Sequence, residues 1–258
     1  MLYNFDVWDI HTPCTQNQSE VTLVFFISRD VNLSVISKLI LQRASQSSWA
    51  TECFKSIEVT SANMTKQEDS YWLGSRVQFE KFLCLQFLST PSVVRYVMYM
   101  EPDVYIFRPD WLPLLQHTAV SDEQVFFIKG HRSMPRFNLT YNHINGNALY
   151  NLGDARLSNF YFHVYSPLLK VGPGNASRYF HYAYDMDIHH FLDVDERSVC
   201  KTIRAHTLSS EFIQNYFHMN YSVAKVAAEY PTAFMIHGGY RQEEEEVVRV
   251  ERAEAFVN

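Results

Sequence analysis

The chain contains no run of the roughly 18 to 20 consecutive apolar residues that a membrane-spanning helix needs. Its opening residues, MLYNFDVWDIHTPC, also lack the basic start and long apolar middle of a secretory signal. The expectation is a chain with no membrane span, cytoplasmic if it is complete and untargeted. Basic residues are scarce: Lys and Arg number 22 against 28 Asp and Glu, for a formal net charge of -6. A nucleic-acid scaffold would normally carry a basic patch or stripe, so the expected partners are small molecules or sugars. There is no C-x-x-C pair. Cys14, Cys53, Cys84 and Cys200 are widely spaced and give neither a zinc nor a redox signature. Cys84 falls on the apolar side of a helical pattern and reads as a small core residue.

What the chain does have is apolar bulk: 47% of its 258 residues are hydrophobic and 15% aromatic. That is enough to bury a full core, as one large domain or a two-part α/β domain. Val21 to Ser28, a short continuous apolar run, suits a buried parallel strand. From Val31 to Trp49, apolar residues recur at Val35, Ile36, Leu39 and Ile40, on one face of a helix. Phe54 to Thr60 reads as a second strand. Val77, Phe79, Phe82, Leu83 and Phe87 then give a helix an aromatic face that runs toward Pro91. The first half is a β-α-β-α-β order, which predicts a doubly wound sheet with its ligand site beyond the carboxyl ends of the strands.

The third of these strands carries the most specific signal. In VVRYVMYMEPDVYIFRPDW, Val93 to Trp111, an apolar run ends abruptly in Glu101-Pro102-Asp103. Pro102 lacks the N–H that a ladder requires, so the strand stops or turns there. Residues i and i+2 of an extended turn can point the same way, which lets Glu101 and Asp103 share one hard cation through oxygen ligands. A solvated acidic turn is the alternative reading of the same three residues.

Three further segments carry chemistry. His143 to Tyr150 sets Gly146 between Asn145 and Asn147. It is either an Asn-Gly turn or a place where backbone and carboxamides meet sugar hydroxyls. Tyr182 to Leu192 brings Asp185, Asp187, His189 and His190 together, with Asp185 either a helix N-cap or a general base. Thr232 to Tyr240 ends a short apolar strand in His237-Gly238-Gly239, where the histidine is a satisfied polar residue or a ligand. In the first half, Ser28, Arg29 and Asp30 fall in a strand-to-helix loop, and Arg76 and Lys81 lie on a helix whose charged heads would ordinarily face water.

An apolar strand, a short acidic D-x-D-like turn and a second apolar strand together resemble the GT-A-type nucleotide-sugar glycosyltransferases. In those enzymes the two acids hold the divalent metal that bridges the donor's phosphates. Here the first acid is Glu101, which keeps the charge and lengthens the reach. The resemblance spans Val21 to about Tyr240 and implies a single GT-A-like α/β domain with a Rossmann-like mixed sheet flanked by helices. Residues 1–20 would be an N-terminal extension, 21–110 the nucleotide-binding half, 111–240 the acceptor and donor-sugar half, and 241–258 a charged tail. It further implies sugar transfer to a glycan or glycoconjugate hydroxyl, with Mn²⁺ or Mg²⁺ on Glu101, Asp103 and His237. Ser28, Arg29, Asp30, Arg76, Asn145, Gly146 and Asn147 would contact the donor. If the reaction inverts, Asp185 would be the base, with Asp187 second in line.

Two rival readings stay open. One is a metal-dependent phosphoesterase built on Asp185, Asp187, His189 and His190; the other is a carbohydrate-binding domain of the same shape without turnover. Compartment is read from Asn-x-Ser/Thr sequons, which begin at Asn17, Asn32, Asn63, Asn138, Asn175 and Asn220. About two would arise by chance, so the excess favours a secretory lumen, Golgi or ER, unless several are buried or unused.

Overall fold

Helices and strands alternate through the first half in the expected order. The computed structural model describes residues 2–15, 20–29, 32–70, 74–88, 95–121, 125–133, 143–165, 184–194, 196–216 and 219–238. Asp30, Gly239, the charged tail, and the sequons at Asn17, Asn138 and Asn175 lie outside them, as does the side chain of His190.

The first unit runs β1 (Thr22–Ile27), α2 (Leu33–Ala44), a single-turn α3 (Trp49–Glu52) and β2 (Ser56–Ser61), after an initial helix α1 (Leu2–Ile10). β1 and β2 pair in parallel from Thr22↔Ser56 to Ile27↔Ser61. The expectation of a fully buried first strand is corrected here. β1 is exposed at Thr22 and Val24 and only half-buried elsewhere, because the described ladder on this side has only two strands and each leaves one edge without a neighbour. On α2, Ile36 and Ile40 face the core as expected, whereas Val35 and Leu39 are more than half exposed. The inward stripe is narrower than the recurrence of four apolar residues suggests.

α4 (Gly74–Leu88) then leads to β3 (Tyr96–Met98) and β4 (Val104–Ile106), which flank the Glu101-Pro102-Asp103 turn. Beyond them come α5 (Trp111–Val120), β5 (Ile128–Ser133), β6 (His143–Asn151), and α6 (Ala155–Phe160) with a π-helical continuation over Tyr161–Tyr165. The remaining elements are α7 (Tyr184–Val194), α8 (Ser198–Ala205), β7 (Thr207–Ser209), β8 (Ile213–Asn215), α9 (Val223–Glu229) and β9 (Met235–His237).

The class is mixed α/β, but among the described residues the strands divide into three ladders, ordered β1-β2, β3-β6-β5-β7 and β4-β9-β8. This corrects the expectation that β3 would continue a parallel, doubly wound sheet. Its partner is β6, running antiparallel from Tyr96↔Asn151 to Met98↔Leu149. β6 is the longest strand among the described residues, buried from Gly146 through Asn151, and it offers β3 a buried neighbour from the second half of the chain. Nothing in the local pattern of β3 records that partner's direction. The mouth of β3 is thus bounded by β6 on one side and, through β4, by β9 on the other.

The segment read as an N-terminal extension belongs to the core. Phe5 stacks on Phe25, and Trp8 meets Trp49 edge-on and Trp111 at a tilt, with both α1 aromatics almost wholly buried. Each such side chain contributes about 1.5–3 kcal/mol by leaving water. Asp9 accepts hydrogen bonds from Trp49 Nε1 and Ser47 Oγ and pairs with Arg43. A disulfide joins Cys14 to Cys53, tying the residues after α1 to the end of α3. The amides of Asp110 and Leu112 donate to the carbonyls of Thr12 and Pro13, so the same segment also fixes the start of α5.

A second apolar cluster lies under β6, where Phe79 and Phe82 of α4 pack with Tyr150 and with Tyr184, Ile188 and Leu192 of α7. Phe79 and Tyr184 stack with ring centroids 4.0 Å apart. The aromatic face expected on α4 is therefore real, and it clamps α7 against the back of the strand that carries Asn145 to Asn147. No helix among the described residues is long and apolar enough to cross a membrane.

Candidate metal centre and its surroundings

Glu101 to Val104 closes a β-turn in which Val104 N donates to the carbonyl of Glu101 at 3.1 Å. Pro102 occupies the second position, where its fixed φ suits the turn. The turn ends β3 and starts β4, and Val104 pairs with His237 across the antiparallel β4–β9 ladder. That register brings a histidine from the far end of the sequence beside the two acids. His237 Nε2 lies 3.1 Å from Glu101 Oε2 and 3.4 Å from Asp103 Oδ2. One ligand atom from each of the three residues falls within 4.8 Å of the others, the one such His/Cys/Asp/Glu group among the described residues.

The three differ in exposure: the side chain of His237 is 7% accessible, Glu101 32% and Asp103 60%. The site is an anchored imidazole at the floor with carboxylates opening to solvent. Burial would lower the imidazole's proton affinity, but its hydrogen bonds to Asp103 and Glu101 outweigh that and raise its pKa to about 9. The same contact works on Asp103, where burial pushes the carboxyl up and His237 more than reverses it, leaving it below its usual range. At neutral pH the imidazolium is a positive charge held between two carboxylates, the position a cation would take. Two carboxylate oxygens and one imidazole nitrogen suit a divalent metal ion.

Asn147, fully buried on β6, holds Glu101 in place. Its Oδ1 accepts from Glu101 N at 2.6 Å, and its Nδ2 donates to Glu101 Oε2 at 3.0 Å and to Asn145 Oδ1 at 3.0 Å. Both amide hydrogens are committed, so Asn147 orients a metal-ligand candidate. Sequence reasoning selected this residue as a sugar contact. No local signal links it to Glu101; only the pairing of β3 with β6 does. Asn145 accepts from Asn147 through its Oδ1 and is half-buried. From the other side, Asn4 Nδ2 on α1 donates to the carbonyl of Pro102 at 3.1 Å, a second brace on the turn.

Gly146 lies inside β6 without a positive φ, so the Asn-Gly turn is not formed. A Cβ there would stand 2.0 Å from the hydroxyl of Tyr184. Its N–H donates to Asp185 Oδ2 at 3.0 Å and its carbonyl accepts from Tyr150 OH at 3.0 Å. Gly146 is where α7 presses against the strand.

Asp185 sits in the first turn of α7, 8% exposed. Besides Gly146 N it accepts Met186 N at 2.9 Å, and His143 Nε2 lies 3.6 Å away. Burial raises its proton affinity, the charge of His143 and the two backbone N–H groups counter this in part, and the nearby Glu101 reinforces it. Asp187 is buried on the same helix. His189 Nε2 accepts the amide of Ile144 at 3.2 Å, and burial, with His143 and Arg132 nearby, lowers its pKa to about 3. A neutral imidazole whose lone pair faces a backbone N–H is not poised as a ligand. Among the described residues Asp185, Asp187 and His189 form no ligating group; the side chain of His190, the fourth residue of the phosphoesterase reading, lies outside them.

Of the expected nucleotide contacts from the first half, Ser28 and Arg29 stand at the carboxyl end of β1. Ser28 accepts Met64 N through its carbonyl, and Arg29 Nε pairs with Asp69 Oδ2 at 3.2 Å. Arg76, on the first turn of α4, is half-buried and so departs from a freely solvated helix face, while Lys81 bridges the carbonyl of Asn63 and Glu68. No family model and no curated protein matches this chain.

Proposed function

We propose that the chain is a GT-A-type glycosyltransferase, moving a sugar from a nucleotide-sugar donor to the hydroxyl of a glycan or glycoconjugate with the help of Mn²⁺ or Mg²⁺. The observation that carries this reading is the convergence of Glu101, Asp103 and His237 at the end of an apolar strand. Bound there, the cation would neutralise the charge that grows on the departing diphosphate. Glu101 and Asp103 supply hard oxygens, and His237 gives up its proton to offer Nε2. An imidazole in the set favours Mn²⁺, since Mg²⁺ sites are usually all oxygen.

Around that centre each residue has a role. Asn147 fixes the reach of Glu101, which compensates for the extra methylene relative to an aspartate. Asn145 reaches the donor sugar's hydroxyls. Ser28, Arg29 and Arg76 grip the nucleotide from the carboxyl end of β1 and from α4. Asp185 is the base if the anomeric configuration inverts, its raised proton affinity matching the task, and Asp187 is the next candidate.

Calorimetry with nucleoside diphosphates, with and without Mn²⁺, tests the proposal. The expected result is weak binding without metal, tight binding with it, and loss of the metal-dependent part in Asp103→Ala. Tight metal-free binding that survives Asp103→Ala would sink it. Nucleotide binding without donor turnover would instead leave a carbohydrate-binding domain of the same shape.

A further inference from the structure

We infer that the chain is itself an acceptor of N-linked glycan, at Asn32, Asn63 and Asn220. Each begins an Asn-x-Ser/Thr sequon, completed by Ser34, Thr65 and Ser222. These are the three sequons that fall in the described residues, and in all three the asparagine is exposed. The buried asparagines on β6 behave in the opposite way. Asn147 and Asn151 are at most 3% exposed, both are hydrogen-bonded, and neither begins a sequon. Sequons and burial are thus segregated, which chance placement of Ser and Thr does not require.

Local geometry makes each position tolerant of a bulky substituent. Asn32 sits before α2 at φ 58°, and its side chain makes no capping hydrogen bond. Asn63 follows β2 at φ 50° between Ala62 and Met64, whose amides donate to Ile27 and Ser28; these neighbours are buried and Asn63 turns outward. Among the described residues only its backbone is engaged, the N–H to Ser61 Oγ and the carbonyl from Lys81 Nζ. Asn220 precedes α9 in the same exposed manner. A substituent on any of these carboxamides breaks no hydrogen bond found among the described residues.

The Cys14–Cys53 disulfide gives an independent reason to expect the modifying chemistry. Structural disulfides persist in oxidising compartments, and the same lumen holds the lipid-linked oligosaccharide diphosphate that serves as co-reactant. In the transfer, the Asn Nδ2 forms a bond to the anomeric carbon of the oligosaccharide as the bond from that carbon to the lipid diphosphate oxygen breaks. One amide proton leaves to the transferring enzyme's base, and no redox change occurs. This inference does not depend on the proposed sugar-transfer activity.

The experiment uses the full chain with an added cleavable signal, translated with microsomes that carry the lipid-linked donor. Glycans are then released with an amidase in ¹⁸O water, which turns each modified asparagine into a mass-labelled aspartate. Label at positions 32, 63 and 220 is expected, together with a Cys14–Cys53 cross-linked peptide that certifies folding in the same sample. Ser34→Ala, Thr65→Ala and Ser222→Ala should each abolish the label at the matching asparagine, while Thr65→Ser retains it. An unlabelled asparagine at one position in the translocated, disulfide-bonded chain overturns that site. Unlabelled asparagines at all three overturn the inference.

Discussion

Asn147 grips Glu101 at both ends, taking its backbone N–H at 2.6 Å and donating to its carboxylate at 3.0 Å. The acid at the mouth of β3 is therefore set by a residue on the neighbouring strand, and the orientation of the candidate metal centre is a property of the β3–β6 pairing. His237 reaches the same acid through β9. Two ladders meet at one carboxylate.

Asn147→Ala removes that grip. It strands a part-buried Glu101 N–H and frees the carboxylate to rotate, so stability should fall by about 1–3 kcal/mol and metal affinity by about 10–100-fold. Mn²⁺ titration of the folded variant, with urea unfolding alongside, separates the two. Unchanged metal affinity in a stably folded variant would reduce Asn147 to a packing residue.

Gly146→Ala should be among the most damaging small substitutions in the chain. The new methyl would meet the Tyr184 hydroxyl at 2.0 Å and the ring carbon behind it at 2.4 Å. Tyr184 is fully buried and stacked against Phe79, which opposes its retreat. The expected loss is about 3 kcal/mol or more, read as a lower urea midpoint. Tyr184→Phe removes the nearer atom alone and should restore only part of it. A midpoint unchanged by Gly146→Ala would mean that α7 can slide off the strand.

His189 makes stability sensitive to acid. Its folded pKa of about 3 lies below the ordinary histidine value of 6.5, so the unfolded chain binds this proton first as pH falls. The stability tied to the neutral ring is complete above pH 6.5 and drains away as pH drops from there toward 3. His189→Gln keeps an acceptor for the Ile144 amide and does not titrate. Its urea midpoint should therefore fall less steeply than the wild type's between pH 7 and pH 4, and parallel curves would refute the assignment.

The E-P-D turn was legible because a proline and two carboxylates at the end of an apolar run have few other structural uses. His237 was legible for a similar reason, as a polar residue capping a short apolar strand before glycines. The order of elements in the first half also follows from periodicity. What could not be read was anything set by long-range pairing. The antiparallel direction of β6, the commitment of Asn147 to Glu101, and the strand conformation of Asn145 to Asn147 all depend on elements distant in sequence. The Cys14–Cys53 bond had no local signature, since four cysteines admit several pairings. α1 escaped notice because Phe5, Val7 and Trp8 do not spell out a single helical stripe, although the core closes over them.

Asp185 is both a structural and a candidate catalytic carboxylate, and Asp185→Asn can tell the roles apart. Its two oxygens accept the amides of Gly146 and Met186, so an Asn side chain must turn its NH₂ toward one of them and lose that hydrogen bond. A modest loss of stability, about 1–3 kcal/mol, is expected on this ground alone. If Asp185 also takes the acceptor's proton, turnover per folded molecule should fall by roughly 10²-fold or more while metal-dependent nucleotide binding persists. Donor and acceptor kinetics on the folded fraction, set beside nucleotide calorimetry, make the distinction. Specific activity that survives in the folded fraction would assign Asp185 to holding Gly146 against α7, and would move the search for a base to Asp187.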